Sequence, residues 1–109
     1  MPVNGAKVLL VGLSYKRNTG DIRESPSLRI IELLAEYGAE VSAADDHVED
    51  HRWPVGVARV QLTAGSVAGA DAVVLITDHD DFDLDLLAAA PVPVLDTRNR
   101  VTGTNVATL

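Results

Sequence analysis

Cysteine is absent from the 109 residues of this chain. Its absence excludes disulfide bonds, thiolate metal sites and a cysteine nucleophile. Long hydrophobic runs are absent too, because no apolar stretch approaches the roughly 18 residues needed to span a membrane. The opening stretch, MPVNGAKVLLVG, has only a short apolar run and lacks the features of a cleavable signal peptide. We therefore expect a soluble, cytoplasmic protein.

Several catalytic signatures are also missing. The sequence contains no G-x-G-x-x-G dinucleotide fingerprint, no Walker phosphate-binding loop and no nucleophile elbow. It has no pair of carboxylates at a spacing typical of catalysis. We therefore predict no catalytic residue and no metal ion for this chain. Its length suits a single domain over residues 1–109.

Basic residues are scarce, and they are unevenly distributed. The net charge of −7 argues against nucleic acid as the main partner. Residues 1–29 hold five basic and two acidic side chains, whereas residues 30–109 hold four basic and fourteen acidic ones. Such a local basic patch can attract a small anion while the remaining surface stays acidic. Chance clustering in a short chain is the alternative interpretation.

Apolar segments in the first half alternate between the periods of strand and helix. The run from Lys7 to Leu13 (KVLLVGL) is typical of a strand buried on both faces. Ser25 and Pro26 then suit a helix N-cap and first position, and an apolar stripe follows from Leu28 to Tyr37. Gly38 ends the helix, and a second strand (Glu40–Ala44) leads into Asp45. This order predicts one right-handed βαβ unit.

The second half gives weaker signals of the same alternation. We predict a weak third strand at Arg59–Leu62 and a short helix at Ser66–Ala70. A clear fourth strand (Ala72–Ile76), a further helix (Asp83–Ala90) and a fifth strand (Val92–Leu95) follow. Pro93 suggests that the fifth strand lies at a sheet edge. The tail, residues 101–109, has no pattern and is expected to be loose. The chain is therefore predicted to be an α/β protein, a three-layer, doubly wound (Rossmann-like), five-stranded parallel sheet in the order 3-2-1-4-5.

Polar clusters follow the predicted strands where each one ends, and ligands of open α/β sheets bind at that edge. The pattern predicts that Lys16, His79 and Arg98 share one rim. Lys16 and Arg98 suit phosphate or carboxylate, lysine as a mobile charge and arginine as a planar fork of donors. Arg23 can reach a second anion or pair with Asp21. Arg17 fits a solvated side chain, or one tied to carboxylates of its loop.

The histidines allow two interpretations each. His79, among aspartates, suits a general base or metal ligand, but a polar loop that caps the next helix is the simpler interpretation. His47 and His51 have the i, i+4 spacing of a zinc site on a helix. Pro54 and the missing apolar stripe favour a loop there instead. Trp53 suits a surface anchor or interface contact better than a stacking platform.

The loop Gly12–Pro26 (GLSYKRNTGDIRESP) resembles G-L-A-[FY]-K-x-x-T-x-D-x-R-E-S-P, the loop of the C-terminal domain of the UDP-glucose/GDP-mannose dehydrogenase family. Thr77–His79 and Asp96–Asn99 are similar to later family segments, and the resemblance is weakest over residues 46–65. It implies a nucleotide-sugar-binding domain, with UDP the commoner nucleotide. By resemblance, Tyr15, Lys16 and Arg98 contact the substrate, and Arg23 reaches NAD.

The resemblance also implies what lies beyond this chain. Family members oxidise the C6 alcohol of a nucleotide sugar twice, to a carboxylate that serves polysaccharide or glycoconjugate synthesis. NAD is held mainly by an N-terminal domain, a central domain joins the two, and the full enzyme is expected to be a homo-oligomer. The family's catalytic cysteine has no counterpart here, so this chain is not expected to be catalytic alone. A stand-alone binding or regulatory module is the main alternative, and an unrelated flavodoxin-like domain is the third.

Overall fold

The computed structural model describes residues 4–108, and these residues form one parallel sheet with helices on both faces. Its strands are β1 (Lys7–Val11), β2 (Glu40–Ala44), β3 (Ala58–Arg59), β4 (Ala72–Leu75), β5 (Val94–Asp96) and β6 (Val106–Thr108). The helices are α1 (Pro26–Glu36), α2 (Ala64–Ala68) and α3 (Asp85–Ala88), with a 3-10 turn at Asp50–Arg52. The sheet order is β3-β2-β1-β4-β5-β6, so the doubly wound α/β fold is confirmed and the predicted count of five strands is wrong.

Strand β1 lies at the centre and is buried on both faces, as its continuous apolar sequence predicts. Val8 and Leu10 pack on the face that α1 covers, whereas Leu9 and Val11 pack on the opposite face with α2 and α3. Leu10 and Val11 have no exposed surface. A helix layer on each face thus produces two core clusters that share the central strands.

Helix α1 follows its sequence signals closely. The Ser25 hydroxyl accepts a hydrogen bond from the Ser27 amide, and Pro26 stands at the first helical position. The hydroxyls of Ser25 and Ser27 each donate to the carbonyl of Leu13, at 2.7 Å. Ile30, Ile31 and Leu34 form the packed stripe, while Tyr37, which was predicted to belong to it, is 65% exposed. Through the two serine hydroxyls, the first turn of α1 is therefore hydrogen-bonded to the chain segment that follows β1.

The short elements of the second half are shifted from their predicted positions. Strand β3 begins one residue early and spans only two residues, because it pairs with β2 through Ala58 and Arg59 alone. Helix α2 begins at Ala64 because Thr63 and Ser66 form a reciprocal capping box in front of it. Helix α3 is half the predicted length. Local propensity is weak over such short segments, so caps and pairing decide their bounds.

The tail is ordered, contrary to the prediction of a loose segment. Its residues 106–108 form β6, which pairs in parallel with β5, so β5 is an internal strand. Pro93 precedes β5, and the predicted edge position is wrong. The Asn105 amide donates to the Ala90 carbonyl at 2.8 Å, and Gly103 packs so closely on the Ala88 carbonyl that a side chain would not fit. These distant contacts have no signature in the tail sequence itself. Leu109 and the N-terminal Met1–Val3 lie outside the described residues.

None of the helices within residues 4–108 combines the length and hydrophobicity needed to cross a bilayer.

Candidate functional site

The loop between β1 and α1, residues 12–25, crosses the carboxyl ends of β1 and β4. Gly12 has a φ of 83°, and a side chain there would collide with the backbone of Thr77. The Thr77 hydroxyl donates to the Ser14 carbonyl and fixes the loop from the other side. The loop therefore begins at a close crossing of two central strands, at the topological switch point of the sheet.

His79 is buried beneath this loop and is hydrogen-bonded to its middle. It is 1% exposed, its Nδ1 accepts the amide proton of Asn18 at 2.7 Å, and its Nε2 lies 2.9 Å from Oδ2 of Asp45. Because Nδ1 is an acceptor, the ring carries its proton on Nε2 and donates it to the carboxylate. His79 thus follows the carboxyl end of β4 at the predicted edge, but it is buried beneath the loop and does not line the cleft beside Lys16 and Arg98. It does not cap α3 either, since that helix starts six residues later.

Asp45 is the partner that makes this anchor possible, and sequence reasoning gave it no role. Its carboxylate also accepts the amides of Leu13 and His47, at 2.8 and 2.9 Å. Burial raises the pKa of Asp45, but the hydrogen bonds from His79 and from these amides outweigh burial, so that the net shift is downward. An ionised carboxylate at the end of β2 thus ties three chain segments together. Its position directly after a buried strand was the available signal.

A cleft of about 540 Å³ opens above this anchor. It brings together Tyr15, Lys16 and Arg98, which were the predicted substrate contacts. The rest of the lining consists of Arg17, Pro26, Ile76, Asp78 and Thr97. Asp78 and Thr97 belong to the polar clusters predicted at this edge, whereas Pro26 and Ile76 were not expected there. Lys16 Nζ lies 5.9 Å from the centre of the Tyr15 ring. Among residues 4–108, no carboxylate oxygen lies within 4.0 Å of the charged nitrogens of Lys16 or Arg98. The cleft therefore offers two cations that no carboxylate of the described residues neutralises by direct pairing.

Arg98 is held in place by its own loop. Asp96 is fully buried, and its carboxylate accepts the backbone amides of Arg98, Arg100 and Val101 at 2.6–2.8 Å. The Arg98 side chain donates from Nε to the Ile76 carbonyl at 2.7 Å. One terminal nitrogen also donates a long hydrogen bond to the Tyr15 carbonyl, at 3.4 Å, so the guanidinium is oriented by two backbone carbonyls beside the cleft.

Asp78 is the one acidic residue of the cleft lining, and it is 4% exposed. Its Oδ2 pairs with Arg100 and lies 3.3 Å from a terminal nitrogen of Arg17. Arg17 also lies 3.9 Å from Asp80, and its side chain is half exposed. The interpretation of Arg17 as tied to carboxylates therefore fits, although the residue also lines the cleft.

Arg23 lies apart from the cleft. It forms a two-pronged ion pair with Asp21, with distances of 3.0 and 2.9 Å. The side-chain and backbone hydrogen bonds from Arg23 lower the pKa of Asp21 to about 2. Arg23 lines a groove of about 320 Å³ together with Arg52 and His47. A second concave surface, lined by Tyr15, Asp21, Arg23 and Glu24, joins this side of the loop to the cleft. Tyr15 is thus the residue shared between the two sides.

The remaining histidines pair with carboxylates. His51 lies 3.3 Å from Glu49, and His47 lies 2.7 Å from Asp81 and stacks on the His79 ring with a centroid distance of 4.2 Å. The donor atoms of His47, His79 and Asp81 lie within 4.8 Å of one another. Both nitrogens of His79 are already used, so this cluster has no free imidazole lone pair there to offer a metal.

Trp53 is an internal anchor for the long loop after β2. It is half-buried, and its ring packs under the Arg59 guanidinium at 4.3 Å. Its indole N–H donates to the Val57 carbonyl at 2.8 Å. Arg59 in turn donates to the carbonyls of Asp45 and Val48, both at 2.9 Å. Trp53 therefore stabilises the loop that begins at Asp45.

Comparison with known proteins places this geometry in a family. The chain is 38% identical over 90 residues to the UDP-glucose 6-dehydrogenase of Bacillus subtilis, which covers 80% of this chain and 20% of that protein. It is 38% identical over 76 residues to the UDP-N-acetyl-D-mannosamine dehydrogenase of Methanococcus maripaludis, which covers 70% of this chain and 17% of that protein. The solved UDP-N-acetyl-mannosamine dehydrogenase from S. aureus superposes with a TM-score of 0.66 and 32% identity, over 95% of this chain and 25% of that one.

The chain thus spans about a fifth of the length of these two curated relatives. Residues 9–103 match the family model described as the UDP binding domain of the UDP-glucose/GDP-mannose dehydrogenases. This match includes the loop after β1, the end of β4 and the Arg98 loop. The chain therefore belongs to the UDP-glucose/GDP-mannose dehydrogenase family, as its UDP binding domain.

Proposed function

We propose that this chain binds a nucleotide sugar, specifically a UDP-sugar, for an NAD-dependent 6-dehydrogenase that oxidises the sugar C6 alcohol to a carboxylate. The observation that carries the proposal is the cleft that gathers Tyr15, Lys16 and Arg98 from two different strand ends. Both of its unpaired cations face the edge of the sheet where parallel α/β proteins bind ligands. The oxidised sugar would serve polysaccharide or glycoconjugate synthesis.

The cleft chemistry suits a diphosphate. Arg98 presents a fixed planar fork, which matches two phosphate oxygens, and Lys16 supplies a mobile point charge that can follow them. Pro26 lines the cleft at the first position of α1, so the positive end of that helix dipole adds to the field. Tyr15 is 46% exposed and offers a ring face and a hydroxyl to the nucleoside or sugar.

The proposal assigns the oxidation to the assembled enzyme. The chain has no cysteine, and it lacks a dinucleotide fingerprint, so NAD would be held mainly by an N-terminal domain outside this chain. Arg23 would reach NAD from its own side of the loop. Tyr15 lines both the cleft and the surface that holds Arg23, which would bring cofactor and substrate to adjacent sites. We further propose that the full enzyme joins these domains through a central region and is a homo-oligomer.

Titration of the labelled chain with UDP, UDP-glucose, GDP and NAD, followed by amide chemical shifts, tests the proposal. We expect saturable shifts with UDP-sugars over residues 12–23 and 96–99. Lys16→Ala should weaken UDP-glucose binding about tenfold, since it removes a charge-assisted hydrogen bond. Arg29→Ala is the matched control, because Arg29 is an exposed cation on α1 that pairs with Glu32 at 3.7 Å. Equal losses in both variants, or shifts spread evenly over the surface, would contradict the proposal.

A further inference from the structure

The lining of the cleft contains one carboxylate, Asp78, among its cations. Asp78 follows β4 at the switch point and faces the same space as Lys16, Arg17 and Arg98. A negative charge among these cations weakens their attraction for phosphate. Its presence in the lining therefore calls for a role other than binding phosphate.

The two oxygens of this carboxylate differ in their surroundings. Oδ2 is used, because it pairs with Arg100 and lies 3.3 Å from Arg17. No hydrogen bond from residues 4–108 reaches Oδ1. Within the same residues, every fully buried side-chain oxygen has a hydrogen-bond partner, so Oδ1 is not sealed from solvent. Asp78 therefore lines the cleft with one carboxylate oxygen that accepts no hydrogen bond from residues 4–108.

We propose that Asp78 determines specificity by accepting, at Oδ1, a hydrogen bond from a hydroxyl group of the nucleotide sugar that lies beside its diphosphate. This inference rests on the proposed function and deepens it. A carboxylate accepts strongly from a hydroxyl, whereas it repels a phosphate oxygen. The ion pairs at Oδ2 hold the orientation of the carboxylate. The hydroxyl belongs either to the ribose or to the hexose, and both share this chemistry.

A purely positioning role is the competing explanation. In that case Asp78 would act only by holding Arg17 and Arg100, and its loss would weaken every anionic ligand to the same extent. An acceptor for a hydroxyl predicts a different pattern. Its loss would weaken ligands that carry the hydroxyl and would spare, or favour, a bare diphosphate because a repulsive charge has gone.

The experiment compares dissociation constants of the chain for UDP-glucose, UDP and inorganic pyrophosphate. For Asp78→Asn we expect about tenfold weaker binding of UDP-glucose and unchanged or tighter binding of pyrophosphate. If UDP binding also weakens, the hydroxyl belongs to the ribose. If the dissociation constant for UDP changes in the same way as that for pyrophosphate, the hydroxyl belongs to the hexose. Binding is measured below the unfolding midpoint of each variant, with the amide spectrum as the check of folding.

Arg100→Gln is the matched control, because it removes an ion pair at Oδ2 from a residue outside the cleft lining. It should change the three affinities by one common factor. Equal losses of UDP-glucose and pyrophosphate in Asp78→Asn would overturn the inference while leaving the proposed function intact. Absence of saturable UDP-glucose binding by the unmodified chain would overturn the proposed function, and this inference with it.

Discussion

The two arginines predicted to bind ligands, Arg98 and Arg23, differ in what already holds them. Arg98 donates to a backbone carbonyl, and no carboxylate of residues 4–108 pairs with its guanidinium. Arg23 is locked by both prongs onto Asp21, and this pair is exposed. An anion can therefore meet the full charge of Arg98, but it must compete with a carboxylate for Arg23. The sequence left open whether Arg23 reaches a second anion or pairs with Asp21, and the structure contains the pair.

The loop that carries Lys16 and Arg23 is held by one buried anchor, the pair of His79 and Asp45, so removal of this anchor should have the largest effect. His79→Ala leaves the Asp45 carboxylate and the Asn18 amide without their partner. We expect the free energy of unfolding to fall by about 3 kcal/mol, as for other broken buried pairs. Urea unfolding measures this loss. His51→Ala is the control, because His51 is exposed, and it should change stability by under about 0.5 kcal/mol. Equal effects of the two variants would show that the anchor is not needed.

Acid should break the same anchor reversibly. The pKa of Asp45 is lowered in the folded protein, so its contribution to stability is present above the unfolded value, about 3.9. That contribution is lost as the pH falls through the lowered folded value. Urea midpoints between pH 7 and pH 3 should therefore drop at the acid end. The drop should be smaller in Asp45→Asn, which is less stable at neutral pH. An identical acid drop in the two proteins would contradict the assignment.

A comparison of UDP binding by the Arg98→Ala and Arg23→Ala variants tests the contrast between the two arginines directly. The first variant should weaken UDP binding by about 10- to 100-fold, because it removes charge-assisted hydrogen bonds to the diphosphate. Arg23→Ala should change the same dissociation constant less than about twofold, since Arg23 lies outside the cleft. Calorimetric titration with UDP measures both. A larger effect at Arg23 would mean that the diphosphate lies on the other side of the loop.

Asp21→Asn should give the smallest effect and sharpen the same contrast. It frees Arg23 from its partner without adding a residue to the cleft. We expect UDP affinity to rise by no more than about twofold, through a screened long-range charge. The gain should vanish in high salt. A tenfold gain would show that the cleft and the Arg23 groove act as one anion site.

The sequence predicted best where a residue's role is local. The caps of α1 and the apolar run of β1 act through their neighbours in the chain, and the structure contains both. Lys16 and Arg98 were placed together because strand ends meet at one edge of a parallel sheet, whereas Tyr15 was named as a contact from the family resemblance. Asp78 was placed at that edge with the cluster after β4, but its pairing was not predicted, because the two arginines come from two other loops. Strand β6 was missed because three residues carry no period and their pairing with β5 is distant.

The burial of Asp96 has a consequence for how binding is driven. A free arginine side chain loses up to about 2 kcal/mol of rotamer freedom when it is immobilised by a ligand. Asp96 fixes the backbone that carries Arg98, and the Ile76 carbonyl fixes its Nε, so much of this ordering takes place during folding. Ordering the Arg98 side chain on association should therefore cost less conformational entropy than ordering the Lys16 side chain. The domain meets its ligand with one cation preorganised and the other adaptable.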